Sequence, residues 1–334
     1  MILDYYFYHS LNNVEKLFYK DLLEAIKNRK NVVMLPDATD ENISVEKVFA
    51  AVGNDNPHLF YFNCNQLMKG SGIIGSGIML DYYYDENETQ KLNSELQNKV
   101  NWIISDVQGA TEIDKAIRLY EKLVQNTEYD HADSNDESVM ARNHTVIGPL
   151  LEGKGVCEGI AKAYKLLLNA VGIRCLVASG EASELIGGAQ SNHAWNIVKV
   201  GDDSFHVDAT WAVGADNKES INYDYFGLSD ERISVDHRLD AGLPECETDK
   251  YDYFIMHQKS VANKNDLISV LENQINIPGR LYIRLDYDCN YEVESKKIIE
   301  IVKDKVTNSD SQILVKSHGR PSQKILIISL SIPD

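Results

Sequence analysis

Residues 153–173 read GKGVCEGIAKAYKLLLNAVGI. Apolar or small residues recur at Cys157, Ile160, Ala161, Tyr164, Leu167, Leu168 and Val171, the spacing of one helix face. Gly172 is a suitable C-terminal stop. The pattern predicts a helix whose first turn carries Cys157. The free amides and the positive dipole end of such a turn favour a thiolate. The amide of Cys157 is itself a natural donor to an oxyanion. Gly153, Gly155 and Gly159 permit a tight approach to the helix and leave room for a substrate backbone. A cysteine on an apolar helix face is ordinarily a core residue, so the case for a nucleophile depends on partners.

Two stretches supply them, Ser191-Asn192-His193-Ala194-Trp195-Asn196 and His206-Val207-Asp208-Ala209-Thr210-Trp211. His193 to Val200 and Phe205 to Trp211 read as strands joined by the turn signal Gly201-Asp202-Asp203-Ser204. Side chains alternate along a strand, so His193, Trp195 and Ile197 share one face, as do His206, Asp208 and Thr210. A short or a longer even-numbered turn gives the same parity, with His193 and Asp208 on one face of the sheet. A carboxylate there accepts from one imidazole nitrogen and leaves the other for the thiol. The expected catalytic set is Cys157, His193 and Asp208, with His206 as an alternative base. Trp195 and Trp211 read first as core aromatics. With Gly155 they are also the candidate substrate-binding residues. Cys175, mid-strand, reads as structural, as do Cys64, Cys246 and Cys289.

The chain has 334 residues, 43% of them hydrophobic, which suits a globular protein of two or three domains. Five widely spaced cysteines without a CxxC argue against a disulfide framework and a structural zinc site. No metal and no cofactor are expected. A site built from Cys157, His193 or His206 and Asp208 has metal-ligand chemistry but no ligand pair at short spacing. The net charge of −18 disfavours nucleic acid and anionic membranes. Such a charge ordinarily serves solubility, and it also attracts cationic, amine-bearing substrates. No apolar run approaches the roughly 20 residues of a membrane span. The N-terminal MILDYYFYHS has no signal-peptide pattern, so a cytoplasmic location is expected.

The expected fold class is α+β. Residues 1–95 form an N-terminal mixed α/β accessory region, 96–245 a catalytic core, and 246–334 a small open-faced C-terminal α/β sandwich in which nothing looks catalytic. In the first region, 14–26 and 44–52 read as helices, the second capped by Ser44, and 32–35, 59–62 and 77–84 as strands. GSGIIGSG (70–77) contains a literal GxGxxG, but a strand-like run follows it instead of a helix. It reads as a hairpin connection. Residues 88–128 carry two helical patterns, and the acidic stretch 129–143 reads as a loop. In the last region 265–274 and 292–306 read as helices, and 279–287, 312–316 and 324–332 as strands.

GKGVCEGIAKAY, HAWN at 193–196 and HVDATW together resemble the transglutaminase-like superfamily of papain-related folds. DNPHLFYF (55–62), the helix ending at Tyr129-Asp130, and Tyr223-Asp224-Tyr225-Phe226 look like a bacterial subgroup with an N-terminal accessory region. The resemblance is strongest over about 100–240. It implies a papain-like core in which a cysteine helix packs on an antiparallel sheet. It also implies Cys157 as nucleophile, His193 as general base and acid, and Asp208 as its orienter. Some papain-like enzymes place an oxyanion glutamine shortly before the cysteine. Pro149-Leu150-Leu151-Glu152 offers none, so a second oxyanion donor is unassigned. The implied chemistry is thiol-dependent acyl transfer on an amide or peptide carbonyl of a peptide or protein substrate. Hydrolysis is favoured over protein crosslinking, because water is always present and no second-substrate site is visible. The alternatives are amine transfer of the transglutaminase type and an inactive scaffold.

Overall fold

The structure, a computed structural model, describes residues 5–36, 43–64, 73–74, 77–132, 136–183, 189–213, 221–274, 279–307 and 314–331. The chain opens with helices α1 (Tyr6–Ser10) and α2 (Asn13–Lys27), strand β1 (Val32–Met34) and helix α3 (Val45–Asp55). Asn12 and Glu15 close a capping box on α2, and the Ser44 hydroxyl caps α3, as its position in the sequence suggests. β2 (Ile73–Ile74) and β3 (Gly77–Met79) pair antiparallel on either side of residues outside the described set. The described part of GSGIIGSG therefore lies in a hairpin. Residues 59–62 are not a strand. The amides of Leu59 and Phe62 bond back to the carbonyls of Asn56 and Leu59, which winds the segment into turns and leaves only a bridge from Phe62 to Tyr82.

α4 (Glu86–Ile104) and α5 (Glu112–Asn126) follow, then β4 (Glu128–Tyr129) and α6 (Glu137–Asn143). The loop expected over 129–143 thus contains a helix, started by the Asp136 carboxylate accepting the Ser138 amide. β5 (Lys154–Gly155) runs parallel to β4 and leads into α7 (Cys157–Ala170). α7 is buried almost all round, including Lys162, Lys165 and Asn169. The sequence shows one apolar face, but the helix is central. It packs on β6 (Arg174–Ala182) and β7 (Ser191–Val200) on one side and on α4 and α5 on the other.

β8 (Asp203–Val207), β9 (Phe226–Leu228), α8 (Asp230–Ile233) and β10 (His237–Leu239) complete the core. Its five strands are antiparallel in the order β10-β6-β7-β8-β9. β7 and β8 join through a tight turn, with Val200 opposite Asp203. β8 ends at Val207, earlier than the sequence suggests, because the Asp208 amide bonds to Tyr225 O and residues 209–213 turn away.

The last part comprises α9 (Tyr253–Met256), β11 (Ser260–Val261), α10 (Lys264–Gln274), β12 (Gly279–Leu285), α11 (Tyr291–Thr307), β13 (Leu314–Arg320) and β14 (Ile325–Ser331). Its sheet has the order β11-β12-β14-β13. Alternation decides its two faces. Leu281, Ile283, Leu285, Leu326 and Ile328 share a cluster with Leu267, Leu271, Ile298 and Val302 of α10 and α11. Tyr282, Ile325 and Ile327 point the other way, into the main core. The face expected to be open is therefore covered by the rest of the protein. No described helix is long and apolar enough to cross a membrane.

Candidate active site

Cys157 is the first residue of α7, half-buried against Ala161, Val177 and Ala194. Val156 at the N-cap supplies no side-chain acceptor, so no cap occupies the first-turn amides. An uncapped first turn leaves its amides able to donate to a negative group. The three glycines before and after the cysteine serve the chain itself. A Cβ on Gly159 would stand 2.1 Å from Asn143 O, and one on Gly155 2.7 Å from Pro149 Cγ. Gly155 is buried, so it lets the loop pack beneath the helix start and offers no surface to a substrate.

His193 Nε2 lies 2.7 Å from Asp208 Oδ2. With Nε2 on Asp208, Nδ1 is the nitrogen left to serve a thiol, and the nearby Cys157 sulfur adds to the charge this imidazole feels. Burial favours the neutral ring. The Asp208 charge and hydrogen bond, with the Cys157 sulfur, outweigh it and raise His193 to about 10. Asp208 is completely buried. Burial alone would raise its carboxyl, but His193 and His237 hold it well below the usual carboxylate range. Its Oδ1 accepts the Thr210 amide at 2.9 Å, so both oxygens are bonded.

Rings fix the imidazole. His193 lies nearly parallel to Trp195, with centroids 6.0 Å apart, and 5.6 Å from Trp211. Trp195 is 1% exposed and donates Nε1–H to His206 Nδ1 at 3.0 Å. It walls the histidine and presents no face to a substrate, which corrects the substrate-binding reading. Trp211 is only partly buried and remains the tryptophan at the site margin. Gly180, opposite His193 in the sheet, makes the space, since a Cβ there would meet Trp195 Cη2 at 2.9 Å.

His206, the alternative base, is fully buried and points to Trp195 and Asp230. It does not reach the triad position. The sequence reading missed His237. From edge strand β10 it approaches Asp208 Oδ2 at 3.2 Å through Nε2 and Asp236 Oδ1 at 2.8 Å through Nδ1. Its only signal was an Asp-His pair after a short polar helix, far from the three motifs.

Two described groups gather metal-ligand types, His193, Asp208 and His237, and His206, Asp230 and Cys246. The second is poorly set for an ion. The Trp195 N–H donates into His206 Nδ1, so Nε2 carries the proton and points at Asp230 instead of offering a lone pair. In the first, both nitrogens of His237 face carboxylate oxygens, an arrangement suited to protons on both.

The family model of the transglutaminase-like superfamily matches residues 103–211, the stretch that holds Cys157, His193 and Asp208. No curated protein matches the chain. Among solved structures, a TGase is 14% identical over 64% of this chain and 52% of that one, with a TM-score of 0.32. A chain from Cytophaga hutchinsonii, provisionally described as a cysteine protease, is 21% identical over 39% of this chain and 44% of that one (TM-score 0.28). One from Parabacteroides distasonis ATCC 8503, provisionally described as a protease, is 13% identical over 41% and 29%, with a TM-score of 0.26. The chain thus spans about half or less of each of these. The family likeness rests on the sequence match alone: residues 103–211 of this chain are similar to the transglutaminase-like superfamily.

Proposed function

We propose that this chain is a thiol-dependent acyl-transfer enzyme acting on an amide or peptide carbonyl, with Cys157 as nucleophile, His193 as general base and acid, and Asp208 as orienter. One observation carries the reading. Cys157 stands at an uncapped helix start beside an imidazole whose other nitrogen is 2.7 Å from a buried carboxylate.

The chemistry follows from those groups. The thiolate adds to the carbonyl carbon, and the C=O pair moves onto oxygen, where the Cys157 amide donates to it. His193 gives its Nδ1 proton to the departing nitrogen, the C–N bond breaks, and a thioester remains. Neutral His193 then takes a proton from water as water attacks the thioester. The acid leaves and the thiol is restored. Asp208 stays ionised throughout and stabilises the imidazolium formed in each half-reaction.

Hydrolysis is the favoured second step, on a peptide or protein substrate. Incubation with a peptide library and a primary amine, followed by mass spectrometry, tests this. The expected products are cleaved or deamidated peptides that Cys157→Ala does not make. Amine incorporation as the main product would replace hydrolysis with transamidation. No Cys157-dependent product of any kind would leave the core as a scaffold.

A further inference from the structure

Behind the Asp208 carboxylate lies a chain of polar groups that the reaction above does not use. Asp208 Oδ2 accepts from His193 and also faces His237 Nε2. His237 Nδ1 lies 2.8 Å from Asp236 Oδ1. Asp236 Oδ2 accepts from the Tyr225 hydroxyl at 2.6 Å and from Gln323 Nε2 at 3.3 Å. Gln323 belongs to the turn between β13 and β14, in the part of the chain whose sequence carries no sign of catalysis. The same amide donates to Arg232 O at 3.2 Å.

We propose that His237 is a positioning residue for the reaction of Cys157, clamped between Asp208 and Asp236, and that the C-terminal sheet sets this clamp through Gln323. The proposal rests on the triad reading above.

Geometry dictates the protonation. An imidazole with both nitrogens against carboxylate oxygens bonds to both only when each nitrogen carries a proton. Burial opposes that charge, but the bonds to Asp208 and Asp236 prevail and the group is raised above its ordinary value. The result is an alternating row of His193, Asp208, His237 and Asp236, each charge neighboured by its opposite. His237 shares the Oδ2 that His193 uses. It therefore divides the carboxylate between two cations and keeps Asp208 from taking the His193 proton.

The other groups around His237 do not replace this role. His193 is 5.6 Å away ring to ring. His206 also feels the His237 charge, but burial first and that charge as well lower it. From β6, Glu181 is engaged by Arg238 at 2.7 Å. Arg320 of β13 lies over Trp211 and Tyr225 at 5.2 and 5.0 Å, and its Nε donates to Asp224 at 3.1 Å. Trp195, Trp211 and Tyr225 enclose the ring at 5.1, 4.5 and 5.4 Å. Two of the groups in this shell, Arg320 and Gln323, come from the C-terminal sheet, so that sheet completes the wall behind the triad.

The test uses the full chain, iodoacetamide, and peptide mass spectrometry of the alkylation rate at Cys157 from pH 4 to 10. The parent should show one change of rate as the thiolate forms in acid, a plateau, and a second change as the imidazolium is lost in alkali and the thiolate reacts alone. Removing the positive neighbour makes thiolate harder to form and imidazolium harder to lose. His237→Gln should therefore move both limbs to higher pH and slow the plateau. Gln323→Leu should move them in the same direction by less. A merely structural role would lower the melting temperature and leave the limbs in place. If His237→Gln does not fold, His237→Asn decides, with the same upward displacement expected. Limbs that superimpose on those of the parent in a folded variant overturn the proposal alone. A parent whose Cys157 reacts no faster than its other thiols overturns the triad reading, and this inference with it.

Discussion

Among the described residues are two constellations of cysteine, histidine and aspartate, and they differ in almost every physical respect. At one, Cys157 opens a helix, His193 leaves one nitrogen toward it, and Asp208 holds the other. At the second, Cys246 is completely buried and its thiol donates to Pro244 O at 3.8 Å. Burial first, and the Asp230 charge second, push that thiol well up. His206 has both nitrogens spent, one accepting from Trp195 and one on Asp230. The residue types are the same. A nucleophile requires a thiol at uncapped amides and an imidazole with a nitrogen to spare. The second group satisfies its own hydrogen bonds and fastens α8 and the 240s segment to the sheet.

The largest expected effect follows directly. Cys157→Ala should abolish covalent labelling by an acyl-type probe while the far-ultraviolet spectrum stays that of the parent. Cys246→Ala should leave labelling intact, and intact-mass measurement reads both. Persistent labelling in the Cys157 variant would erase the distinction between the two groups.

Next are the carboxylates. Asp208→Asn should lower turnover by about a hundredfold or more, since the orienter fixes the tautomer and stabilises the imidazolium. It should leave some thiol reactivity. Asp230→Asn should change turnover by less than about twofold and cost about 1 kcal/mol of stability, because its partner is buried but the carboxylate is part-exposed. Equal losses of turnover in the two variants would mean that another group orients His193.

Trp195→Phe sharpens the comparison further. It leaves His206 Nδ1 as a buried acceptor without its donor, at a cost of about 1–2 kcal/mol. A urea midpoint that falls with unchanged slope is the expected reading.

The smallest effect is in the pH dependence of stability, where the two histidines carry opposite signs. His193 is raised to about 10, so its contribution is complete below its unfolded value and fades as pH climbs toward 10. His206 is lowered, first by burial, so its contribution is present above its unfolded value and is lost in acid. His193→Gln should flatten the alkaline side of a melting-temperature profile, and His206→Gln the acid side. The reverse pattern would contradict both environments.

Much of this was legible in the sequence because it is local. The 3.6-residue period and the glycine stop predicted a helix starting at Cys157, and period-two parity put His193 and Asp208 on one face. The tight turn after Val200 brings them to bonding distance. What escaped depends on distant chain. His237 reaches Asp208 only because β10 returns to pair with β6 across more than fifty residues, with His237 opposite Ala182. The burial of Trp195 depends on a glycine on the neighbouring strand. Residues 59–62 look like a strand by composition, yet their amides find closer partners in turns. The clamp at Asp236 needs Gln323, which no local pattern connects to the site.

The central claim is that Cys157 is activated by its helix start and His193. The most direct measurement is competitive alkylation of all five cysteines by iodoacetamide at pH 6, read as site-specific rates. The account predicts that Cys157 reacts much faster than Cys64, Cys175, Cys246 and Cys289, and that His193→Gln removes the advantage. A Cys157 rate no greater than that of Cys289, or one indifferent to His193, would contradict it.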